Sequence, residues 1–524
     1  MKASEMLAGI DYKLMMGDLG VEVLDLVDDS RKVTEGAVFI CRKGIITDGH
    51  SYIDDAMARG AVGIVITDDI EAADNHIPGG HAENDIRNSF VVRLEDSRDG
   101  IGQLCNNFWN YPSHKLMMIG ITGTKGKTTV AYMLRSVLRE AKVKTGLIGT
   151  VEIDDGVTVS PAVNTTPGTV CLYRKIADMV DNDVEVCVME VSSQGLMLGR
   201  VDGVDFDIGI ITNISPDHIG KCEHATFEEY VRWKSSLMGM CRGAVINTDD
   251  KYSPEFYFMA RMQHTPIWTY GVKHYRRMYT AAKDIVGDYR AYHVENYNDR
   301  GCIGTVIEVE GNKTGIGHIT LGVPGMFNVY NAVAVCAVGD MLGIPEDILN
   351  SALCEINIPG RFERITKYKG LNIYIDYAHN AASLENILKT LRKYTNGRII
   401  CLFGCGGGRA RSRRAGMGSV AGKLADITII TSDNPRNENP ETIISDIESG
   451  IAGTGGKYVK IVDRKEAIRY AIQIADCKDV ILLAGKGHET YQDVGGCKVH
   501  MDERELIGQI LEEQKDHVVC RCYS

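Results

Sequence analysis

No stretch of the chain reaches 18 consecutive apolar residues, so we expect no membrane-spanning helix. The N-terminal segment MKASEMLAGIDYKLMMGDLG lacks a basic stretch followed by an apolar core and a small-residue cleavage site, which argues against a signal peptide. The 15 cysteines include no CxxC pair, and the close pair Cys520 and Cys522 lies at the C-terminus. These absences predict a reduced, cytoplasmic protein without a disulfide framework or a zinc site.

An excess of positive charge is also missing. The 58 Lys and Arg residues face 70 Asp and Glu residues, a formal net charge of -12, so we expect no nucleic-acid and no membrane-surface partner. Internal repeats and low-complexity tracts are not visible either. Apolar residues at 44% and charged residues at 24% fit a soluble globular protein. We expect a monomer that acts on small-molecule substrates.

The chain's 524 residues exceed one ordinary core, and domains of ~100–200 residues predict two to four of them. Short apolar runs alternate with helical stretches in three blocks: 1–97, 98–357 and 358–524. The runs lie at residues 37–40, 61–67, 116–121, 184–191, 208–212, 373–377, 399–404, 427–431 and 480–485. This alternation predicts an α/β fold with mostly parallel sheets covered on both faces, whose ligands bind at the carboxyl ends of strands.

A glycine-rich turn, Gly120-Ile-Thr-Gly-Thr-Lys-Gly-Lys-Thr-Thr129, joins one of these runs to an amphipathic helix. Backbone N–H groups of such a turn close around phosphate oxygens at the positive end of the helix. Lys127 would reach the β- and γ-phosphates, and the Thr128 hydroxyl would ligate magnesium. The alternative, a turn with a capping threonine, does not account for the strand, the GKTT sequence and the helix together. Ile121 stands where the common pattern has its first glycine, so the match is to the shorter form GTxGKTT.

Gly123 to Thr129 resembles the ATP loop of the Mur ligase family, and the resemblance extends over nearly the whole chain. It is strongest to the members that add the third amino acid of the cell-wall peptide. The resemblance implies an N-terminal α/β domain for the UDP-substrate, a central P-loop-type ATPase domain and a C-terminal Rossmann-like domain for the amino acid. It also implies ATP and Mg²⁺ as cofactors, and UDP-N-acetylmuramoyl-dipeptide and diaminopimelate as substrates, joined through an acyl phosphate.

The resemblance assigns catalytic roles to four residues. Glu190 ends an apolar run, where a carboxylate suits a second magnesium ion, since this ion prefers oxygen ligands. His218 lies in a TN-x-S-x-DH-like segment that belongs to the metal environment of the family. Lys234 aligns with a lysine that becomes carbamylated, although from the residues alone it reads as a solvated cation on a helix. With Thr128, these three form the predicted metal site, and Lys127 completes the catalytic set.

The UDP-substrate would contact four segments. The DSR tripeptide contains Ser30, the NTTP loop contains Asn164, Thr165 and Thr166, and Ser192 and Arg200 follow Glu190. Without the family, a turn with a capping serine and an ordinary loop explain the first two segments as well. The chain departs from the family at Ile45-Ile46-Thr47, in place of a His-Gln-Ala-like stretch, at Gln194, usually histidine, and at Leu198, usually glutamine.

The nucleotide site would also draw residues from the later part of the chain. GxFNxxN-like and DYAHN segments supply Asn328, Asn331 and His379, and Arg361 could reach the ATP phosphates; Asn380 departs from the usual YAHTPD-like text. The predicted ATP-binding set is Gly123, Thr124, Lys125, Gly126, Lys127, Thr128, Thr129, Asn328, Asn331, Arg361 and His379.

Three turns that follow apolar runs would bind the incoming amino acid. They contain Arg409, then Asp433, Asn434, Pro435 and Arg436, then Gly485 and Glu489; Gly408 replaces a usual Asp or Asn. Their arginines suit a carboxylate and Glu489 suits an ammonium, as a zwitterion requires. As an alternative, the turns are merely tight connections, and Arg436 pairs with Glu438 or Glu441 on the surface.

The expected reaction is the ATP-dependent addition of meso-diaminopimelate. Arg436 favours this amino acid over L-lysine, because only diaminopimelate carries a distal carboxylate. Two rivals stay open. One is a sister ligase, such as folylpolyglutamate synthase or the fourth-residue-adding enzyme, although the DNPR and GKGHE segments argue against it. The other is a nucleotide-binding regulatory paralogue without ligase activity. The departures from the family pattern at Gln194, Leu198 and Asn380 leave this alternative open.

Overall fold

The structure is a computed structural model that describes residues 1–44, 47–67, 89–217, 219–220, 223–272, 285–299, 302–311, 315–365 and 371–513. Five residues named above, Ile45, Ile46, His218, Cys520 and Cys522, lie outside these ranges. The described chain divides into two compact units. The first comprises Met1–Arg290, Glu310–Ile316 and Val333–Ile348, and the second Ala291–Val309, Gly317–Ala332 and Leu349–Ser524. The predicted domain limits at 97 and 357 stay predictions.

The N-terminal sheet of the first unit has the strand order β1-β5-β4-β3-β2. Its strands are β1 (Tyr12–Gly17), β2 (Asp25–Val27), β3 (Ala37–Cys41), β4 (Gly63–Ile66) and β5 (Phe90–Leu94). The accompanying helices are α1 (Ala3–Met6), α2 (Ile53–Ala58) and α3 (Ser97–Phe108). All neighbours are parallel except β1, which is antiparallel to β5. The first two predicted apolar runs are confirmed as β3 and β4, which are buried throughout.

The same unit contains a parallel sheet with the strand order β13-β12-β11-β6-β10-β7, to which β8 and β9 add antiparallel. Its strands are β6 (Met117–Thr122), β7 (Thr145–Ile148), β8 (Glu152–Asp154), β9 (Val159–Pro161), β10 (Val186–Glu190), β11 (Phe206–Ile211), β12 (Cys241–Asn247) and β13 (Ile267–Val272). Its helices are α4 (Lys127–Glu140), α5 (Thr169–Asp181), α6 (Ser193–Met197), α7 (Phe227–Ser236) and α8 (Ser253–Met262). The predicted amphipathic helix is α4, in which Val130, Met133, Leu134, Val137 and Leu138 form a buried apolar stripe, and this burial explains why the segment is helical.

A mainly antiparallel segment follows the parallel sheet in the chain. Its elements are β14 (Ile285–Asp299), β15 (Cys302–Glu310), β16 (His318–Leu321), α9 (Met326–Met341) and α10 (Glu346–Cys354). Strand β15 pairs antiparallel with β16, from Thr305 opposite Leu321 to Glu308 opposite His318. Helix α9 is apolar on all sides, and residues 332–338 are fully buried. This burial identifies α9 as a core helix rather than a surface one.

The C-terminal sheet lies in the second unit and has the order β17-β18-β22-β19-β20-β21. Its strands are β17 (Glu363–Arg364), β18 (Asn372–Asp376), β19 (Ile399–Phe403), β20 (Ile427–Ile430), β21 (Tyr458–Lys460) and β22 (Val480–Ala484), and a separate hairpin is formed by β23 (Tyr491–Val494) and β24 (Cys497–His500). Its helices are α11 (Ala381–Tyr394), α12 (Arg411–Leu424), α13 (Pro440–Ala452), α14 (Arg464–Ile474) and α15 (Glu503–Glu513). All sheet pairs except β17–β18 are parallel. Alternate strand residues enter two apolar clusters, one with α11–α13 and one with α14 and α15, which confirms the prediction of a sheet covered on both faces.

A buried ion pair joins the last helix to this sheet. The side chains of Arg464 and Glu503 are 1% and 0% exposed, and Arg464 Nη2 lies 2.7 Å from Glu503 Oε1. The same guanidinium donates to the carbonyl oxygens of Ser432 and Ala484, both at 3.2 Å. These carbonyls immediately precede the DNPR and GKGHE segments. Arg464 therefore links α15 to both strand ends at which the predicted amino-acid site begins.

Two expectations from composition concern the described residues only. None of their helices combines the length and the apolar composition needed to cross a membrane. Among the cysteines, the Cys187 thiol is buried, and burial raises its pKa to about 12. A buried thiol of this kind is unreactive, and the predicted reduced state of the protein stays a prediction.

Candidate active site

The glycine-rich turn lies between β6 and α4, as predicted. Gly126 precedes α4 with a φ of +88°, in the left-handed region that favours glycine. Gly123 has a φ of +140°, and a Cβ at this position would lie 1.9 Å from Thr212 Oγ1. Only glycine therefore fits at Gly123. The turn presents its backbone and the amino end of α4 at the carboxyl end of the sheet, which is the arrangement that binds phosphate.

The segment after β11 braces this turn. Thr124 N donates to the Asn213 carbonyl at 2.8 Å, and Lys125 N donates to Asn213 Oδ1 at 3.0 Å. In return, Thr212 Oγ1 donates to the Lys125 carbonyl at 2.6 Å. The TN-x-S-x-DH-like segment thus begins as a structural support for the phosphate loop. Its His218 lies outside the described residues, and the predicted metal role of this histidine stays a prediction.

Two lysines converge on one carbonyl oxygen in the turn. Lys127 Nζ donates to the Gly123 carbonyl at 2.8 Å, and Lys234 Nζ donates to the same oxygen at 2.9 Å. Lys234 is 2% exposed, so the alternative of a solvated helical cation is wrong. Burial, and then the neighbouring charge of Lys127, holds the pKa of Lys234 well below its ordinary value. Lys234 is therefore disposed to be neutral, the form in which an amine is a nucleophile.

Glu190 lies at the end of β10 and is 1% exposed. Its carboxylate accepts hydrogen bonds from Thr128 Oγ1 at 3.0 Å, from Thr150 N at 2.8 Å and from Thr150 Oγ1 at 3.0 Å. The structure thus brings together two of the four predicted metal ligands, Thr128 and Glu190, beside the phosphate loop. Both offer the oxygen atoms that Mg²⁺ prefers. The described residues contain no cluster of three or more His, Cys, Asp or Glu side chains that could bind a metal on its own.

The NTTP loop is attached to the same strand end. Thr166 Oγ1 donates to the Glu190 carbonyl at 3.0 Å and accepts from Ser192 N at 2.9 Å. Thr165 Oγ1 and Thr150 Oγ1 lie 3.0 Å apart. Asn164 is exposed. Two residues of the predicted UDP-substrate loop, Thr165 and Thr166, and two of the predicted metal residues, Thr128 and Glu190, therefore belong to one hydrogen-bonded network.

Ser30 is buried at the start of a short 3-10 turn after β2. The residue that caps this turn is Asp29, whose Oδ1 accepts from Arg31 N at 3.1 Å, so the alternative of a capping serine does not hold. Ser192 does cap a helix, because its Oγ accepts from Gly195 N at 3.0 Å. The capping role of Ser192 is compatible with substrate contact, since a hydroxyl can still donate.

Arg200 and a residue that the sequence reasoning missed, Arg42, lie at the NTTP loop together. Arg200 Nη1 donates to the Thr166 carbonyl at 2.8 Å. Arg42 donates to Thr169 Oγ1 at 3.1 Å and to the Leu198 carbonyl at 3.0 Å. Burial, and then the charge of Arg42, lowers the pKa of Arg200. Two guanidinium groups close to one loop favour the binding of an anionic ligand there. Arg42 immediately follows β3. The expectation that ligands bind at the carboxyl ends of strands could therefore have identified Arg42 as a site residue.

The later nucleotide residues lie in the second unit. Asn328 Nδ2 donates to the Pro324 carbonyl at 2.8 Å, and Asn331 Nδ2 donates to Asn328 Oδ1 at 3.3 Å. Both asparagines are buried, at 3% and 4% exposure, near the start of α9. In this unit they stabilise the helix start, and their nucleotide role stays a prediction.

Arg361 and His379 lie around Tyr377, after β18. The Arg361 guanidinium carbon is 4.7 Å from the centre of the Tyr377 ring, and His379 Nδ1 donates to the Tyr377 carbonyl at 2.8 Å. The next residue, Asn380, caps α11 because its Oδ1 accepts from Ser383 N at 2.9 Å. Asn380 is thus compatible with the fold, although it departs from the YAHTPD-like sequence that is usual in the family.

The GKGHE segment packs against the start of the third block. A Cβ on Gly360 would lie 2.2 Å from His488 N, and Gly360 has a φ of +66°. Burial, followed by the charges of Arg361 and Arg504, lowers the pKa of His488 to about 4. The imidazole is therefore neutral near pH 7. This packing brings the predicted nucleotide arginine and the predicted amino-acid loop side by side.

The DNPR and GKGHE segments meet around a buried lysine, Lys486, which is 0% exposed. Its Nζ donates to Asn434 Oδ1 and to Glu489 Oε2, both at 3.0 Å. Asn434 Nδ2 also donates to Glu489 Oε2, at 2.8 Å. A Cβ on Gly485 would lie 2.9 Å from Asp433 Oδ2. The structure therefore brings four of the seven predicted amino-acid residues together and adds Lys486, which was not predicted as a site residue.

Arg436 follows Pro435 with a φ of +52°. Its Nη1 donates to the Gly407 carbonyl at 2.7 Å, and its Nε lies 3.7 Å from Asp493 Oδ2. The suggested surface partner Glu438 instead accepts from Arg414 Nη2 at 2.9 Å. The alternative of an Arg436–Glu438 ion pair is therefore wrong. Gly407 belongs to the turn after β19 that contains Arg409, and the Arg409 side chain itself is exposed.

Three sequence-family models match this chain. The Mur ligase family catalytic domain matches residues 27–109, the Mur ligase middle domain residues 121–339, and the Mur ligase glutamate ligase domain residues 360–487. Together the three matches include the DSR tripeptide, the phosphate loop and the DNPR segment.

Proteins that are similar over nearly the whole chain agree with these family matches. A protein of Caldanaerobacter subterraneus subsp. tengcongensis named UDP-N-acetylmuramoyl-L-alanyl-D-glutamate–2,6-diaminopimelate ligase is 41% identical over 516 residues, 98% of this chain and 100% of its own. A protein of the same name from Clostridioides difficile is 38% identical, with 98% and 100% covered. A solved structure of that name has a TM-score of 0.65 at 26% identity, covering 98% and 99%. The fold is also shared with a MurF ligase of Thermotoga maritima solved with ADP, at a TM-score of 0.57, 18% identity and coverage of 94% and 97%.

Proposed function

Since this chain belongs to the Mur ligase family, we propose that it adds meso-diaminopimelate to UDP-N-acetylmuramoyl-L-alanyl-D-glutamate in peptidoglycan precursor synthesis. The enzyme is an ATP-dependent ligase. The observation that carries the proposed amino-acid site is the joining of the DNPR and GKGHE segments through Lys486. This junction places Arg436, a cation, in the same segment as an asparagine bonded to Glu489, an anion, as a zwitterionic substrate requires.

The chemistry follows from the charges at the phosphate loop. ATP phosphorylates the γ-carboxylate of the D-glutamate, and the amine of the third amino acid then displaces phosphate to give an amide, ADP and phosphate. Lys127 and the amino end of α4 neutralise the transferring phosphoryl group. Thr128, Glu190 and Lys234 as its carbamate would hold Mg²⁺, which supplies further charge neutralisation at the phosphates. Ser30, Asn164, Thr165, Thr166, Ser192 and Arg200 would orient the UDP-dipeptide.

Arg42 should be part of the UDP-dipeptide site, because it and Arg200 give two cations at the NTTP loop. Arg42→Ala should raise the KM for UDP-dipeptide about 10-fold, the loss of one charge-assisted hydrogen bond, and leave the KM for diaminopimelate unchanged. Steady-state ADP release with each substrate varied in turn measures this. Arg59→Ala is a matched control, since Arg59 is an exposed arginine that pairs with Asp55 on α2. Equal effects on both KM values would contradict the assignment.

For the amino acid, Arg436 can take the distal carboxylate of diaminopimelate, while Asn434 and Glu489 orient the distal ammonium. Arg436→Ala should therefore raise the KM for diaminopimelate and leave those for ATP and UDP-dipeptide almost unchanged. The expected loss is on the order of 2–4 kcal/mol, because the carboxylate of the substrate is left without its partner. Initial rates of ADP release give the three constants.

A second arginine variant separates the site from general charge effects. Arg411→Ala removes an equal charge at the start of α12, where the side chain is 76% exposed. This control should behave as the unsubstituted enzyme does. The Arg436 assignment is wrong if the Arg436→Ala enzyme uses diaminopimelate as well as the unsubstituted enzyme.

The proposed function is tested by ADP release with UDP-N-acetylmuramoyl-L-alanyl-D-glutamate and a panel of amino acids. We expect release to require both substrates and to be fastest with meso-diaminopimelate. Faster release with L-lysine would replace the proposed amino acid. ATP binding without turnover on any amino acid would instead support the regulatory paralogue.

We also propose that the enzyme acts as a monomer in the cytoplasm, where the reduced state of its cysteines is maintained. A molar mass of 57.6 kDa by light scattering would support this.

A further inference from the structure

Asp493 and Arg436 are held next to each other by the backbone. Arg436 N donates to the Asp493 carbonyl at 2.9 Å, and Gly495 N donates to the Arg436 carbonyl at 2.8 Å. Asp493 N in turn donates to Asn434 Oδ1 at 3.0 Å. The hairpin of β23 and β24 is thereby attached to the DNPR segment. The position of Asp493 beside Arg436 does not depend on the contact between their side chains.

The Asp493 carboxylate compensates the charge of Arg436 within the protein. Asp493 Oδ2 lies 3.7 Å from Arg436 Nε, and the two side chains are 23% and 38% exposed. The other oxygen, Oδ1, is buried and accepts no hydrogen bond from the described residues. Glu438, the nearby alternative, is already bonded to Arg414. Asp493 is therefore the carboxylate that accompanies Arg436 before any amino acid binds.

This arrangement bears on selectivity, an argument that rests on the proposed function. Suppose that Arg436 had no internal partner. A bound diamino acid without a distal carboxylate would then leave the partly buried guanidinium of Arg436 unpaired, next to the distal ammonium of that substrate. With Asp493 present, that cost is reduced, because a carboxylate already faces the guanidinium. For diaminopimelate, Asp493 acts in the opposite direction, since its charge competes with and repels the distal carboxylate.

We propose that Asp493 is a specificity-determining residue that lowers the enzyme's preference for diaminopimelate over diamino acids lacking the distal carboxylate, such as L-lysine. Asp493 stands in for the missing carboxylate when such a substrate is bound. The unsubstituted enzyme accordingly uses L-lysine at a measurable rate, below its rate with diaminopimelate.

Asp493→Asn tests this proposal, because asparagine keeps the size and the backbone hydrogen bonds and removes only the charge. The quantity to measure is the ratio of kcat/KM for diaminopimelate to that for L-lysine, at saturating ATP and UDP-dipeptide. We expect the ratio to rise about 2- to 5-fold, mainly through a loss of lysine use, as expected for one partly exposed charge pair. Glu441→Gln is the matched control: Glu441 is an exposed carboxylate near Arg436 in the sequence, and its substitution should leave the ratio unchanged.

The possible outcomes distinguish a failure of the role proposed for Asp493 from a failure of the proposed function. An unchanged ratio in Asp493→Asn, with normal turnover of diaminopimelate, overturns the role of Asp493 and leaves the proposed function in place. A ratio that changes equally in Glu441→Gln also overturns it, since the effect is then general electrostatics. If the unsubstituted enzyme does not turn over diaminopimelate, the proposed function itself fails.

Discussion

Lys127→Ala should lower the rate of ADP release by about 10³-fold or more while the fold remains intact. The ammonium of Lys127 is anchored by the Gly123 carbonyl at the point where α4 begins. In the proposed reaction this charge would face the negative charge that develops during phosphoryl transfer, and water cannot replace that stabilisation. Initial rates of ADP release, together with circular dichroism of the variant, measure the two parts of this expectation.

Lys115→Ala is a suitable control, because Lys115 is an exposed lysine just before β6. It should retain both the fold and the rate. Near-normal ADP release by a folded Lys127→Ala enzyme would refute the phosphate-loop assignment.

Lys234→Ala should lose activity by on the order of 10²–10³-fold, and added short carboxylates such as acetate should restore part of it. The reason is the proposed carbamate, an anion formed when the neutral amine of Lys234 adds to carbon dioxide and releases a proton. The depressed pKa of this buried lysine supplies the neutral amine. Restoration is measured as ADP release against acetate concentration.

The phosphate-loop variant provides the control for this rescue. Acetate should not restore Lys127→Ala, because that position requires a cation. A Lys234→Ala enzyme that no small carboxylate restores, or a crystal structure showing an unmodified ammonium at Lys234 with substrates bound, would count against carbamylation.

Much of the fold was predictable because it follows from local periodicity. The stripe on α4 and the apolar runs at β6, β10, β11 and β22 each carry their own signal, and all of them became the predicted elements. The convergence of Thr128 and Glu190 was also predictable, since both follow adjacent strands whose carboxyl ends meet at one edge of a sheet.

Burial and pairing over long sequence distances were not predictable. Lys234 lies on a helix rich in charged residues, and the carbonyl oxygen that accepts a hydrogen bond from its buried side chain lies 111 positions earlier in the chain. Arg42 finds its partners 127 and 156 positions later. Asp493 meets Arg436 only because a hairpin returns to the DNPR segment. No window of sequence contains both members of such a pair, so their meeting requires the folded chain.

The buried pair of Arg464 and Glu503 bears on how this molecule can be divided and recombined. The match to the Mur ligase glutamate ligase domain ends at residue 487, before Glu503. A graft cut at that point would carry Arg464 in an apolar interior without its counter-ion, at a cost of roughly 3–5 kcal/mol. It would also lose Arg504, which donates to Glu363 at the opposite end of the segment. A transplantable C-terminal module therefore extends through α15, and enzymes that exchange this module would have to exchange its last helix with it.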